Sequence, residues 1–506
     1  MAEYATLPPA KPFRNADGRV YWQAVAHVTR ADQATCDYLL IPFDVPEGMA
    51  RLAVRYQFSG AVDASITDGS GNVIDIGIWD PRGVSFGADG FRGWSGSDRR
   101  FFVVGQPEET TPGYVPGPIQ AGLWHVVLGL YQVRPDGCEI ELEIEAVPLA
   151  AEEDVPVSPD TRPRRSRPMD QAGFLCPRVQ GVLRPGPGWY RGDLQTHTNH
   201  SDAPGSLQEL AAAARAQGLD FVAVTDHNTV TSWPYLAEVG SDDLLLIPAE
   251  EITTYYGHAN VWGSRRWHDF RLRSRSLMAE VAAGVRAAGG LFSINHPRSG
   301  GPPWELGTDF EFDCLEVWNG RWEWGNDEAL ALWERLLRAG RRVVAVGGSD
   351  RHQGSTSGRQ AYLEVGQPTT WVYAPELSVS GILAGLRAGR VCVSNGPTGP
   401  RVELEAEAGG RQARMGERLA VRPGEPVTAH VRALGATGCH LRLVVDGETR
   451  GQAPIEAEDI TLAWTLPDPG SYIRAQVEGL HSESLVLVAL SNPVWLLPDP
   501  SRDQVR

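Results

Sequence analysis

The stretch WYRGDLQTHTNHSDAPGSLQELAAAARAQGLDFVAVTD (189–226) decides the fold. It opens on a strand-like segment, WYRGDLQTHT (189–198), and closes on a second, LDFVAVTD (219–226). Between them SLQELAAAARAQG carries a capping box, Ser206 with Glu209 three residues on, and Gly218 suits the C-terminal stop. The same alternation continues downstream. Strand candidates are DLLLIPAEEIT (243–253), HANVWG (258–263), LFSINHP (291–297), FDCLEVWNG (312–320) and RRVVAVGGSD (341–350), with helical segments at 274–288, 327–339 and 375–388. Strands rich in β-branched residues that alternate with helices predict an α/β fold, either a parallel barrel or a doubly wound sheet.

Outside this region the pattern changes. Residues 20–148 are short apolar or alternating runs such as YLLIPFDV (38–45), LWHVVLGLY (123–131) and EIELEIEAV (139–147), cut by turn pairs such as Asp68-Gly69 and Asp136-Gly137. Strands at this spacing without intervening helices predict an antiparallel sandwich or jelly roll. Short alternating strands return after SNGPTGP (394–400), in VELEAEA and LRLVVDG. The expected division is an N-terminal β-sandwich over 1–148, a Pro- and Arg-rich linker over 149–188 that includes TRPRRSRP (161–168), an α/β unit over 189–398, and a C-terminal β-sandwich over 399–506.

Composition narrows the function. The 506 residues exceed one compact core, and the 42% hydrophobic and 22% charged shares are those of a soluble globular chain. Gly (56) and Pro (37) together make up roughly 18%, below the level at which disorder becomes the default. The net charge of −17, with Lys11 the only lysine, argues against non-specific nucleic-acid or anionic-membrane binding. The six cysteines are scattered singly, so neither a disulfide framework nor a thiolate zinc site is expected. MAEYATLPPAKPFR has no signal-peptide regions, and no apolar run approaches the ~18 residues that span a bilayer. A soluble, cytoplasmic protein is the expectation.

Histidines and carboxylates gather at the C-terminal ends of the predicted strands. His197, Asp226-His227, Glu250-Glu251, Asn295-His296 and Asp350-Arg351-His352 all fall there, while His258 opens the next strand. Parallel α/β folds build their sites at that edge, and imidazoles with carboxylates suit Zn²⁺, Mn²⁺ or Fe. Asp350 and His352, two apart, point to one side of an extended chain, whereas adjacent Asp226 and His227 point to opposite sides. Periodicity does not say which of Glu250 and Glu251 faces inward. The conjunction predicts a metal site.

The motifs GDLQTHTNHSDA (192–203), VTDHNT (224–229), PAEEIT (248–253), GHANVWG (257–263), INHPR (294–298) and GGSDRH (347–352) occur in the order seen in PHP-domain (polymerase and histidinol phosphatase) metallohydrolases. The chain resembles that family. TPGY…GPI…GLWHVVLGLY (111–131), FRGWSGS (91–97) and SNPVWL (491–496) are similar to its CehA/McbA branch. The resemblance implies a distorted (β/α)₇ barrel with two or three divalent ions, Zn, Mn or Fe. Its implied ligands are His197, Asp202, His227, Glu251, His258, His296, Asp350 and His352, which favours Glu251 over Glu250. The family's first motif is His-x-His, and this chain has Gln195-Thr196-His197, so Gln195 offers only a weakly ligating amide oxygen there.

The chemistry expected of such a centre is a metal-activated hydroxide attacking a small phosphoester, a phosphodiester or phosphomonoester, in the manner of an EC 3.1 hydrolase. Arg298 and Arg351 could clamp a phosphate or carboxylate, with surface ion pairing as the plainer reading, and His200 could protonate a leaving group. A carboxylester or carbamate hydrolase of the CehA type is the alternative. A barrel that binds metal without turnover is a third reading, motivated by Gln195. The β modules leave homo-oligomerisation open, and FRGWSGSDRR (91–100) reads as a packing loop more readily than as a loop over the barrel mouth.

Overall fold

The computed structural model describes residues 4–62, 70–149, 176–299, 302–352, 364–481 and 484–499. It is a mixed α/β protein dominated by strands. The linker tract 161–168 and the turn pair Asp68-Gly69 lie outside the described residues.

Two five-stranded sheets form the N-terminal sandwich. One comprises Tyr4–Thr6, Tyr38–Val45, Gly122–Gln132, Val73–Trp79 and Phe91–Gly96 in that spatial order; the other comprises Lys11–Arg14, Val20–Val28, Cys138–Pro148, Met49–Phe58 and Phe101–Val104. The alternation of CEIELEIEAVP turns Ile140, Leu142 and Ile144 inward and the glutamates between them outward. Val73–Trp79 breaks that rule, because all seven of its residues are buried. The reason is that the first sheet is covered twice. Ile74, Ile76 and Ile78 face the sandwich core with Leu39, Ile41 and Phe43, while Tyr38, Leu40, Trp79, Phe91 and Trp94 pack against Ile252, Phe270 and Leu272 of the next unit.

In the central unit we label the strands β1 (Gly188–Asp193), β2 (Phe221–Val224), β3 (Leu245–Thr254), β4 (Gly257–Trp262), β5 (Leu291–Ile294), β6 (Cys314–Asn319), β7 (Val344–Gly348), β8 (Thr369–Ala374) and β9 (Val391–Ser394). They are hydrogen-bonded in the order β7-β6-β5-β4-β3-β2-β1-β8-β9. The helices are α1 (Leu207–Ala216), α2 (Leu236–Gly240), α3 (Arg275–Ala287), α4 (Asn326–Arg338) and α5 (Val379–Arg387). The capping box at Ser206 and Glu209 is present, and α1 buries Leu207, Leu210, Ala211 and Ala214 at helical spacing. The last helix starts later than its pattern predicts, because the Ser378 side chain caps it by accepting from Gly381 N.

The expectation of a parallel sheet needs correction. β4 runs antiparallel to both β3 and β5, and β8 runs antiparallel to β1. Only Tyr255 and Tyr256 separate β3 from β4, so no helix can cross over, and a tight connection forces the reversal. Beyond β7 the chain returns to β1. Ser349 N donates to Asp193 Oδ1 (3.0 Å), Asp350 N to Gln195 O (3.0 Å) and His197 N to Arg351 O (3.0 Å), with Thr196 and Arg351 bridging in parallel. Asp193 is buried there and also accepts from Gly366 N. The segments that follow β7 and β1 thus meet, while β1 itself pairs along its other edge with β8.

The C-terminal strands continue the same sheet, since β9 pairs with Ser484–Ser491. A four-stranded sheet (Arg411–Arg414, Arg401–Ala408, Val427–Leu434, Asp459–Leu466) contributes Val402, Leu404, Val431 and Ala433 to a core shared with Leu441, Leu443, Ile473 and Val477. Asn492 stitches the junction. Its Oδ1 accepts from Ala345 N (2.8 Å), and its Nδ2 donates to Ala345 O (2.9 Å) and Val391 O (3.0 Å). Asn492→Ala leaves buried main-chain groups unpaired and is expected to cost at least about 1–3 kcal/mol. A lowered urea midpoint checks this; an unchanged midpoint would show that the junction carries no stability.

Candidate metal centre

Eight imidazole and carboxylate side chains converge where β1–β7 end. They come from six strands or the turns that follow them. His197 and Asp202 follow β1, His227 follows β2, Glu251 lies on β3, His258 lies on β4, His296 follows β5, and Asp350 and His352 follow β7. Three sets of donor atoms lie within 4.8 Å of one another: His197, Asp202, His227 and His352; His227, Glu251 and His258; and His197, Glu251 and Asp350.

Glu251 is the hub. Its fully buried Oε1 lies 3.3 Å from both His258 Nδ1 and His296 Nε2 and accepts from Asn295 Nδ2 (3.0 Å) and Gln195 Nε2 (2.9 Å). Oε2 lies 3.1 Å from His227 Nδ1 and 3.4 Å from His197 Nε2, yet it has no hydrogen-bond partner. His258 Nδ1 and His197 Nδ1 are likewise buried without a hydrogen-bond partner. His227 Nε2 and His352 Nε2 face each other at 3.2 Å, with Asp202 Oδ1 3.3 Å from His352. Nitrogen and oxygen lone pairs aimed at one another, with no thiolates, are the donor set of Zn²⁺, Mn²⁺ or Fe, so the residues fit divalent ions. His352 Nδ1 lies 2.8 Å from Asp350 O, which turns its Nε2 towards His227 and Asp202.

Backbone strain also collects here. His296 (φ 28°) and Asp350 (φ 54°) occupy the left-handed region without being glycine, a cost of about 1–3 kcal/mol each that neighbouring structure must over-determine. Burial works against the charge on Glu251, and the imidazoles of His227, His258 and His296 outweigh it, holding the carboxylate well below its ordinary range. Glu316, from β6, behaves oppositely. Burial, with the Asp350 and Glu251 charges, pushes its carboxyl well up.

The structure separates residues that the spacing leaves equivalent. Glu250 points away from the cluster and accepts from His268 N (3.0 Å), with His268 Nδ1 3.1 Å away. Asp226 holds the loop after β1 by accepting from Thr198 N (2.7 Å) and Ser201 Oγ (3.1 Å). Gln195 faces the cluster, within reach of Glu251 and Asp350. Two proposed catalytic residues are not brought in. His200 turns to Thr231, with Nδ1 2.8 Å from its hydroxyl, and burial pushes its pKa down. Arg351 lies between Asp350 and His352, so its side chain takes the opposite side, among the charges of Asp193, Glu364 and Glu209. Arg298 does line the cleft, but its terminal nitrogens already hold Asn319 Oδ1 (2.7 Å) and Trp324 O. Sequence reasoning missed Glu316 and Asn319. An acid inside the apolar run of FDCLEVWNG was the available signal.

The centre opens into a cleft of about 1620 Å³. The sandwich supplies part of its wall: Trp94, Ser95, Asp98 and Arg100 line it together with Tyr255 and Trp324. FRGWSGSDRR therefore lines the cleft, which corrects the preference for a packing loop. Arg99 reaches from this loop to Asn199 O (2.6 Å) and Ser201 O (3.0 Å), immediately before Asp202.

No protein-family model matches the chain, and no curated protein matches it. Among solved structures, it is similar to a two-domain protein from Bacteroides vulgatus ATCC 8482 described as containing a predicted PHP-like metal-dependent phosphoesterase. The two are 18% identical, with a TM-score of 0.33, over 62% of this chain and 99% of that one. An amidohydrolase from Chromobacterium violaceum is 15% identical, with a TM-score of 0.24, over 34% of this chain and 89% of that one. Likenesses this weak decide neither the fold nor the chemistry, which rest on the geometry above.

Two outcomes are expected. Arg99→Ala frees the Asp202 loop and lowers divalent-metal affinity on the order of 10-fold, the lower end of what outer supports contribute; metal titration by calorimetry reads it. The second concerns Asp75 on the cleft wall, where burial raises the carboxyl to about 6 against the opposing hydroxyl of Tyr255 (2.7 Å) and the charge of Arg100. The unfolded carboxyl titrates near roughly 3.9, so the folded state holds the extra proton between these values. The contribution of this group to stability is greatest below about 4 and falls as pH rises towards 6. Asp75→Asn removes that fall, gaining up to ~3 kcal/mol relative to wild type at pH 7 compared with pH 4. Urea midpoints at the two pH values measure it.

Proposed function

We propose that the protein is a metal-dependent hydrolase of phosphoesters, built as a distorted (β/α)₇ barrel of the PHP type, CehA/McbA-like, between two β modules. The observation that supports this most is the convergence on Glu251, where imidazole and carboxylate donor atoms from separate strands face one another and Glu251 Oε2 has no hydrogen-bond partner. The proposed limits are a sandwich over 1–148, a linker over 149–188, a barrel over 189–398 and a C-terminal β domain over 399–506. A cytoplasmic setting and a small-molecule substrate belong to the same reading. No helix among the described residues is long and apolar enough to cross a membrane.

His197, Asp202, His227, Glu251, His258, His296, Asp350 and His352 would hold the ions. When bound, divalent ions lower the pKa of water and offset charge developing on a substrate oxygen. The chain's own residues do the rest. Arg298 adds a fixed positive charge at the cleft floor, next to His296. Its engaged terminal nitrogens make it a point charge for a phosphoryl group rather than a free two-pronged clamp. Trp94, Tyr255 and Trp324 narrow the approach and displace water from a bound ester.

Hydrolysis of a carboxylester or carbamate is the second reading, and those aromatic walls favour it because they suit an uncharged organic group. Metal analysis alongside aryl phosphodiester, phosphomonoester and carboxylester substrates separates the two. Phosphoester turnover that is lost to a chelator is expected. Turnover of carboxylesters alone would favour the second reading, and metal-loaded protein inert to all three would favour metal binding without catalysis. Glu251→Ala and Asp350→Ala should each reduce turnover by more than the roughly 10–100-fold that loss of an outer support costs. Circular dichroism should show the fold retained.

A further inference from the structure

Gln195 occupies the gap between the two carboxylates of one donor set. Its Nε2 donates to Glu251 Oε1 (2.9 Å) and to Asp350 Oδ1 (3.3 Å). An amide NH₂ between two carboxylates directs positive hydrogens at the same lone pairs a cation would bridge. The question is whether the amide could turn over and offer its oxygen instead.

The surrounding hydrogen bonds fix its direction. Arg298 carries only donors, and its Nη2 donates to Asn319 Oδ1 (2.7 Å). Asn319 Nδ2 must therefore point the other way, to Glu316 Oε2 (3.1 Å) and Gln195 Oε1 (3.5 Å). With its oxygen spent on that side, Gln195 presents its nitrogen to the carboxylates. Turning it over would set Gln195 NH₂ against Asn319 NH₂, and turning both would set Asn319 NH₂ against Arg298. Each rearrangement opposes donor to donor at a fully or almost fully buried position. The cradle is also shaped for this side chain. A Cβ on Gly348 would lie 2.6 Å from Gln195 Cβ and 2.8 Å from Glu316 Oε1, so glycine there lets the glutamine seat.

Resting on the metal-hydrolase reading, we infer that the centre holds two divalent ions rather than three. The Gln195 amide, polarised by the Arg298–Asn319 relay, stands in for an ion between Glu251 and Asp350. The bare Glu251 Oε2 faces His227 and His197, the side on which ions would be held.

Counting bound ions tests this without reference to turnover. Wild-type protein is saturated with Mn²⁺ or Zn²⁺ and measured by native mass spectrometry and by elemental analysis of the desalted chain. Two ions per chain are expected, rising to three in Gln195→His. Gln195→Glu, which replaces the donor with a carboxylate, provides a second gain-of-site variant should the histidine not fold. Three ions in wild type, or one, would overturn the inference, as would a count of two in both folded variants. A wild-type chain that binds no ion would instead overturn the metal-hydrolase reading beneath it.

Discussion

A carboxylate with no exposure to solvent, Glu251, is the constraint around which the rest is arranged. An unpaired buried charge costs several kcal/mol, so the fold must surround it with donors or cations. It does so from every side: imidazoles of β2, β4 and β5 origin, the Gln195 and Asn295 amides, and His197 from the loop after β1. Apart from His258, across the hairpin to β4, these partners are distant in sequence. Contact between the segments that follow β1 and β7, held by Asp193 and the Thr196–Arg351 bridge, is what brings Asp350 and His352 to the same place as His197. The strained backbone at His296 and Asp350 shows that placement of the donors prevailed over local comfort.

The sandwich belongs to this site as much as the central unit does. Its first sheet is buried on both faces, so its outer residues are apolar where an ordinary sandwich would be polar. That second interface positions the segment 91–100 along the cleft wall and Arg99 behind the Asp202 loop. The centre is thereby enclosed by a wall that the central unit alone would lack, and enclosure strengthens every charge interaction inside it. Asn492 plays a matching part on the far side, tying the C-terminal strands to β7.

Much of this was legible in residue order. The periodicities of 3.6 and 2 are local properties, so the helices 207–216, 275–287 and 326–338 and the alternating strand Cys138–Pro148 could be read directly. Gathering of His and acidic residues at strand ends was legible for the same reason. Strand direction was not. An apolar run such as HANVWG looks the same running either way, and only the two-residue connection to β3 makes it antiparallel.

The sequence by itself determined which residue types stand at each strand end, and that they are nitrogen and oxygen donors without thiolates. Tertiary structure decided which of them meet. Whether Glu250 or Glu251 faces the centre depends on the phase of the β3 pleat, and whether Arg351 or its neighbours turn inward depends on how β7 closes onto β1. The direction of the Gln195 amide depends on an arginine and an asparagine more than a hundred residues away. Spacing along a chain encodes a side chain's local face; hydrogen-bond polarity and shared charge exist only once distant strands are in contact.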